Sequence, residues 1–493
     1  MQKKFIATIL TLIILSSALA TIGPVLAQTS SNARPIKIGL VAPVSKSPVG
    51  QDMQRAADLA VEEINDAGGV YVAEWGTNVD IEIVLADTVD AAPANAVPPV
   101  TRAVTVDNVD LLIGGYGSSA TLADEVVAIE NRVPFIITGA SNALVTRRGP
   151  QGNYGGLSET DPQAITDAEG MTYVFHYCTT TYDYSSTVVK FFAEVMKPMV
   201  AADRDFRLAL LYRDDAFGNG VAQSTKYWIE ELDLPITISS DLKYPTTTTD
   251  FQTQLTQIKG EQPDAIYVAD NPDRTPTVIK QGVNEVGLKT VYIAVENNQD
   301  PVFYSLLGRS GENQLLESKL DPFMDPSYLP LIPQYVQRYK DAYGTIPGMM
   351  GADTYDAFFI AKAAIEAAGT LDKAAVRTAI EQSAIDDLLI LTKTGKIQFS
   401  TGANWHEIEP VTYIEQLKYD ETLGECRSVI VWPESVPNVG TIKQMDFVLP
   451  EGYPLASDGG SLGIDSTLLY VIVAVVVVVV VVVAFVLLKR RSK

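Results

Sequence analysis

Between residues 36 and 294, short apolar runs alternate with amphipathic segments, and this rhythm restricts the chain to one class of architecture. Residues 36–41, 80–86, 111–113, 135–138, 208–212, 265–268 and 290–294 read as strands. Met53, Ala56, Ala57, Ala60, Val61 and Ile64 recur at the spacing of one helix face, and Gly68-Gly69 ends that helix. Further helices are expected over 120–131, 221–232, 251–259 and 276–286. Repeated strand–helix units imply parallel sheets covered by helices on both faces. A chain of 493 residues is too long for one core, because cores stop growing near ~250–300 residues. The expected fold class is therefore α/β with two lobes, with ligands bound beyond the carboxyl ends of the strands. Residues 149–170, rich in Gly, Asp, Ser and Thr, break the rhythm and read as a long loop.

The two ends carry membrane signals. Met1-Gln2-Lys3-Lys4 precedes the apolar stretch 5–20, and Val25-Leu26-Ala27 supplies small residues before Gln28. This is an export signal with expected cleavage after Ala27. Residues 468–488 contain no charge and include valine at every position from 475 to 483. At ~1.5 Å per residue they span roughly 32 Å, enough for one transmembrane helix. Lys489, Arg490, Arg491 and Lys493 follow, which places the tail 489–493 in the cytoplasm and residues 28–467 on the outer face. The expected localisation is the cell membrane, single-pass, with the ectodomain extracellular. Residues 435–466, with Pro437, Pro450, Pro454 and Gly459-Gly460, read as a stalk.

Composition removes other classes. With 37 Lys+Arg against 60 Asp+Glu, the net charge is −23, which opposes non-specific binding to nucleic acid. Two cysteines and two histidines rule out a Cys-rich zinc site and a multi-histidine centre, so neither metal nor cofactor is expected. No G-x-S-x-G elbow is present, and His176 and His406 lack a supporting motif, so the chain does not read as an enzyme.

Seven short stretches occur in a familiar order: Ile36-Lys37-Ile38-Gly39-Leu40-Val41-Ala42-Pro43 with its helix ending at Gly68-Gly69; Ala86-Asp87-Thr88-Val89-Asp90; Gly114-Gly115-Tyr116-Gly117-Ser118; Pro134 to Asn142; Arg213 to Gly220; Lys289 to Glu296; and Thr354-Tyr355-Asp356-Ala357. On these residues the chain resembles the branched-chain amino-acid and amide receptors of ABC importers, in a membrane-anchored, archaeal-type variant. The resemblance covers about residues 34–433. It implies the periplasmic-binding-protein type 1 (Venus-flytrap) fold: two parallel-rich sheets and three hinge strands, with crossings expected near 173–177, 316–321 and 396–400. Lobe one would comprise 34–173 plus 322–395, and lobe two 174–319 plus 396–433. The implied partners are a small amino acid, amide or amine, and the permease and ATPase subunits that receive it. A sensory receptor for the same ligands is the alternative.

An amino acid presents a carboxylate and an ammonium, and both must be paired when buried. Backbone N–H groups at helix starts, aided by hydroxyls, can hold a carboxylate. Ser118 and Ser141 follow strands in the same half of the chain, with Gly139 as a further ligand-binding candidate, and the resemblance implies that the two serine hydroxyls contact the ligand carboxylate. It likewise places Glu296 on the ammonium, with Asp270 as a second acid. By the same resemblance Phe217 matches an aromatic that faces the ligand, and Tyr116, Tyr182, Tyr184 and Tyr355 are weaker choices for an apolar, partly aromatic pocket. The family's disulfide positions are occupied here by Val89 and Gly117, and Val49 replaces an aromatic near the mouth, which leaves amides, urea and other amines open as ligands. Cys178 and Cys426 remain as a candidate pair in an oxidising compartment.

Overall fold

A computed structural model of the chain describes residues 33–327, 331–402 and 404–455. The expected leader 1–27, transmembrane segment 468–488 and tail 489–493 lie outside the described residues. Among the described residues no helix is long and apolar enough to cross a membrane.

The first lobe is built on a sheet of five parallel strands: β1 (Ile36–Ala42), β2 (Ile81–Asp87), β3 (Leu111–Tyr116), β4 (Phe135–Gly139) and β5 (Val174–His176), in the order β2-β1-β3-β4-β5. Strand side chains alternate between faces. Leu111 and Ile113 therefore enter one core while Leu112 enters the other. Both faces are covered, which is why these strands read as unbroken apolar runs. On one face lie α1 (Pro48–Asp66), α5 (Leu331–Tyr343) and α6 (Met349–Ala368), and on the other α2 (Ser118–Asn131). Met53, Ala56, Ala57, Ala60 and Ile64 of α1 are all buried, as the spacing predicts.

The second lobe carries seven strands: β6 (Phe206–Arg213), β7 (Ile236–Tyr244), β8 (Ala265–Ala269), β9 (Val291–Ala294), β10 (Leu315–Ser318), β11 (Tyr413–Asp420) and β12 (Glu425–Trp432). Their order is β12-β11-β10-β9-β8-β6-β7, parallel except for the pairings β10–β11 and β11–β12. Helices α3 (Thr181–Phe191) and α4 (Ala216–Glu231) cover one face. Thr180 and Asp183 close the start of α3 with a reciprocal capping box.

Up to Trp432 the chain passes between the two sheets three times: after His176, after Ser318, and ahead of Tyr413, the last later than the expected 396–400. Ile397, Phe399, Ile408 and Val411 still belong to the lobe-one core, and the second sheet resumes only at Tyr413. The cause is β5, whose His176 N–H donates to His406 O at 2.8 Å, while the His406 ring stacks on Phe175 at 4.2 Å. This holds residues up to about 411 on lobe one.

Three further expectations are corrected. Inside the expected long loop, Ala168–Met171 forms one helical turn, while residues 152–155 leave helical geometry, with positive φ at Asn153, Tyr154 and Gly155. The segment expected to be a stalk is packed as far as it is described. Val436 and Ile442 enter the lobe-one core, and Met445, Phe447, Leu449 and Tyr453 lie against the lobe-two core. Cys178 and Cys426 are both free. Cys178 lies at the crossing after β5, while Cys426 is buried with Leu307 and Leu417 on the outer part of the second sheet, so separate packing environments keep the thiols apart.

Candidate functional site

A cavity of about 180 Å³ lies between the lobes, at the carboxyl ends of both sheets. Lobe one contributes Ser47, Val49 and Asp90 after β1 and β2, Tyr116 and Ser118 at β3, and Gly139 and Ser141 at β4. Lobe two contributes Arg213 at the end of β6 and Phe217 beyond it, Asn271 and Asp273 after β8, and Asn297 after β9. The lobes touch around it. Ala216 N donates to Ser119 Oγ at 3.2 Å, Asn142 Nδ2 donates to Ala216 O at 2.7 Å, and Met349 N donates to Gln299 O at 3.0 Å.

Four helices begin on this cavity: α1 at Pro48, α2 at Ser118, α4 with Phe217 in its first turn, and α6 with Met350 in its first turn. The first N–H groups of a helix have no intrahelical partner and carry partial positive charge, so their convergence favours an anionic group. Gly117 caps α2 with φ at +83°, and a Cβ there would lie 3.1 Å from Ala91 Cβ. The left-handed turn both starts the helix and keeps the wall narrow, which only glycine allows at little cost. Ser118 is the first helical residue rather than the cap. Its Oγ accepts from Asn142 N at 3.2 Å, which ties the β3 and β4 edges of the wall together.

Of the sequence candidates, Tyr116, Ser118, Gly139, Ser141 and Phe217 share this cavity. The Tyr116 hydroxyl donates to Asn271 Oδ1 at 3.5 Å across the cleft, and the Arg213 guanidinium lies 5.9 Å from the Phe217 ring. Asp270, Tyr182, Tyr355 and Glu296 do not line it. The Asp270 carboxylate accepts from the Tyr244 hydroxyl at 2.8 Å, Arg274 Nε at 3.0 Å and Asn271 N at 2.8 Å. Asp270 therefore holds the loop that carries Asn271 and Asp273. Tyr182 stacks under Arg147 at 4.8 Å in a separate groove, because the Arg147–Glu407 ion pair at 2.6 Å fixes the guanidinium there. Tyr355 donates to Glu63 Oε2 at 2.6 Å on α1, away from the cleft.

Glu296 lies one residue behind Asn297, beneath the cavity wall, and is 1% exposed. Neither of its carboxylate oxygens has a hydrogen-bond partner among the described residues. Its nearest cation is the Lys319 ε-amine at 3.7 Å, which donates to Asp353 Oδ2 of lobe one at 2.8 Å. Burial pushes the Glu296 carboxyl up to about 7, against the opposing pull of Lys319. Burial and the neighbouring Glu296 carboxylate also raise Glu317 well above its ordinary range.

The sequence reading missed Arg213, Asn271, Asp273 and Asn297. Each follows a strand that was recognised, so their position beyond its carboxyl end was the available signal. Among the described residues no cluster of His, Cys, Asp and Glu is arranged to hold a metal ion.

Comparison with known proteins agrees with this geometry. A family model described as periplasmic binding protein matches residues 35–421. The Leu/Ile/Val-binding protein homolog 7 of Brucella suis is 24% identical over 379 residues, covering 74% of this chain and 85% of that protein. The isoleucine-bound branched-chain amino acid transporter substrate-binding protein LivJ of Streptococcus pneumoniae superposes with a TM-score of 0.63 at 20% identity, covering 80% of this chain and all of that one. A benzoate-bound solute-binding protein of an ABC transporter from R. palustris gives 0.63 at 18% identity, covering 85% and 100%.

Proposed function

We propose, from the premise that the chain belongs to the periplasmic binding protein family, that it is the extracytoplasmic solute-binding component of an ABC importer. It captures a small amino acid of branched-chain type, or a related amide or amine, in the interlobe cavity and delivers it to a permease. The single observation that carries this reading is the convergence of Ser118, Ser141 and four helix starts on one interlobe cavity. Isoleucine and benzoate, the ligands of the two structural neighbours, have a carboxylate in common. That group fits the lobe-one wall, where Ser118, Ser141 and the α2 amides supply donors. The volume of about 180 Å³ suits a small ligand, since drug-sized sites run to ~300–1,000 Å³.

The ammonium is assigned to Glu296, the buried carboxylate without a hydrogen-bond partner behind Asn297. With only the Lys319 ammonium at 3.7 Å to balance it, this carboxylate would gain from a closer charged donor. Tyr116, Val49, Phe217 and Met350 enclose the side chain. Because the two poles lie in different lobes, ligand binding favours the closed form. The apolar run 468–488 anchors the protein with this domain on the outer face of the membrane.

Calorimetry against a panel of amino acids, amides and carboxylates, with small-angle scattering to follow closure, tests the reading. Saturable binding of one class with compaction is expected. Absence of binding across the panel would overturn it.

A further inference from the structure

Beside the ligand cavity, the lobes meet again around Gly348, the residue that caps α6. Asp52 of α1 approaches from lobe one and is 4% exposed, and Asp300 approaches from lobe two and is 3% exposed. A Cβ on Gly348 would lie 2.9 Å from Asp52 Oδ2 and 3.0 Å from Asp300 Oδ2, so the two carboxylates flank one backbone position across the interface. Asp52 is held by its own lobe, accepting from the Tyr339 hydroxyl at 2.6 Å, Gly348 N at 3.0 Å and Gly351 N at 2.8 Å. Asp300 caps the helix Pro301–Leu307, and its Oδ1 accepts from Val302 N at 2.8 Å.

The charged and titratable surroundings are sparse. Arg55, Tyr335 and Tyr339 face Asp52, and Tyr116 and Asp273 face Asp300. Neither carboxylate forms an ion pair with a described residue. The attraction of Arg55 for Asp52 is a smaller influence than burial. Burial lifts Asp52 to about 6, and burial with Asp52 alongside lifts Asp300 to about 7.

We propose that closing the lobes takes up a proton at the Asp52–Asp300 face, so that acid favours the closed form and alkali the open form. Opening returns water to the face and leaves each carboxylate with its own lobe's donors, so the charge repulsion exists only in the closed form. A group whose pKa is higher in the closed form pulls the equilibrium toward closure as pH falls. Near and below the raised values, the closure constant should rise by up to about tenfold per pH unit for one linked proton. Neither acid is among the residues that line the ligand cavity, and the closure readout needs no ligand.

The test follows closure in the full chain without ligand. Dyes are placed at Val106→Cys on lobe one and Leu423→Cys on lobe two, which are 65% and 50% exposed, while the native cysteines are buried. Energy transfer between the dyes should increase from about pH 8 to about pH 5.5. Asp300→Asn keeps the helix cap, removes the repulsion and one titrating group, and should raise the closed fraction at about pH 8 and shrink its change over that range. Asp300→Ser is a second uncharged cap in case the first variant fails to fold. A flat profile in the parent protein, or an Asn or Ser variant that titrates like the parent, would overturn the proposal.

Discussion

Replacing Glu296 by Gln should move stability and ligand affinity in opposite directions. The carboxyl is 1% exposed and burial raises it from 4.5 to about 7. A group raised in the folded state contributes fully to stability below its unfolded value and loses that contribution as pH rises through the folded one. The parent protein therefore loses stability between about pH 4.5 and pH 7 on account of Glu296. At ~1.4 kcal/mol per unit, the cost at pH 8 is on the order of 3 kcal/mol. Lys319 keeps Asp353 as its 2.8 Å partner in the variant. Glu296→Gln should thus be more stable by roughly that amount at about pH 8 and unchanged near pH 4.5, read from denaturant unfolding at both pH values. The same change removes a charged acceptor from the ammonium, a loss of about 1.5–3 kcal/mol or roughly 10- to 150-fold in Kd by calorimetry. A variant destabilised at pH 8 with unaltered affinity would refute the reasoning and make Glu296 a structural partner of Lys319.

Ser118→Ala and Ser141→Ala should each weaken a carboxylate ligand by about tenfold, measured by calorimetry, with the loss of one hydroxyl donor worth ~1 kcal/mol or somewhat more. Arg148 lies 2.5 Å from Glu125, both buried in lobe one, and burial holds Glu125 up to about 7. Arg148→Met should therefore cost about 3–5 kcal/mol of unfolding free energy at neutral pH, and less in acid, where Glu125 is protonated. Since Cys178 and Cys426 are free and buried, reductant should leave Tm unchanged, and thiol reagents should titrate both only after unfolding.

The regular parts of the fold were legible because parallel strands buried on both faces must be apolar throughout, as in β3, β4 and β8. Strand β7 was missed for the complementary reason. It is the edge of the second sheet, half-exposed, and its Ile-Thr-Ile-Ser-Ser-Asp-Leu-Lys-Tyr carries little apolar signal. Helix α3 was missed because Thr, Tyr and Ser dominate it, although its capping box was written at Thr180 and Asp183. In the site, local pattern located wall residues that follow a strand by one or two positions, such as Ser118 and Ser141. Local pattern did not reveal which acid after a strand faces the cavity. Asp270 and Asp273 are three positions apart in one loop, yet Arg274 and Tyr244 hold the first inward and leave the second on the wall.

The second crossing strand explains why the candidate ammonium acceptor and the hinge cannot be treated separately. Lys319 leaves β10 at the crossing and joins Asp353 on lobe one, while its other neighbour is Glu296 on lobe two. Beside it, the Tyr177 hydroxyl at the first crossing donates to Asp356 of α6 at 2.7 Å, and Asp356 also accepts from Leu389 N and Ile390 N. Two crossings are thus fastened to one helix, α6, whose first turn touches the cavity at Met350. An ammonium reaching Glu296 competes with Lys319 for the same carboxylate and so alters the charge balance at the crossing itself. Under the proposed assignment, ligand binding would act on the hinge lysine as well as on the contact between the lobes. Lys319→Met should consequently change the open–closed equilibrium of the ligand-free protein.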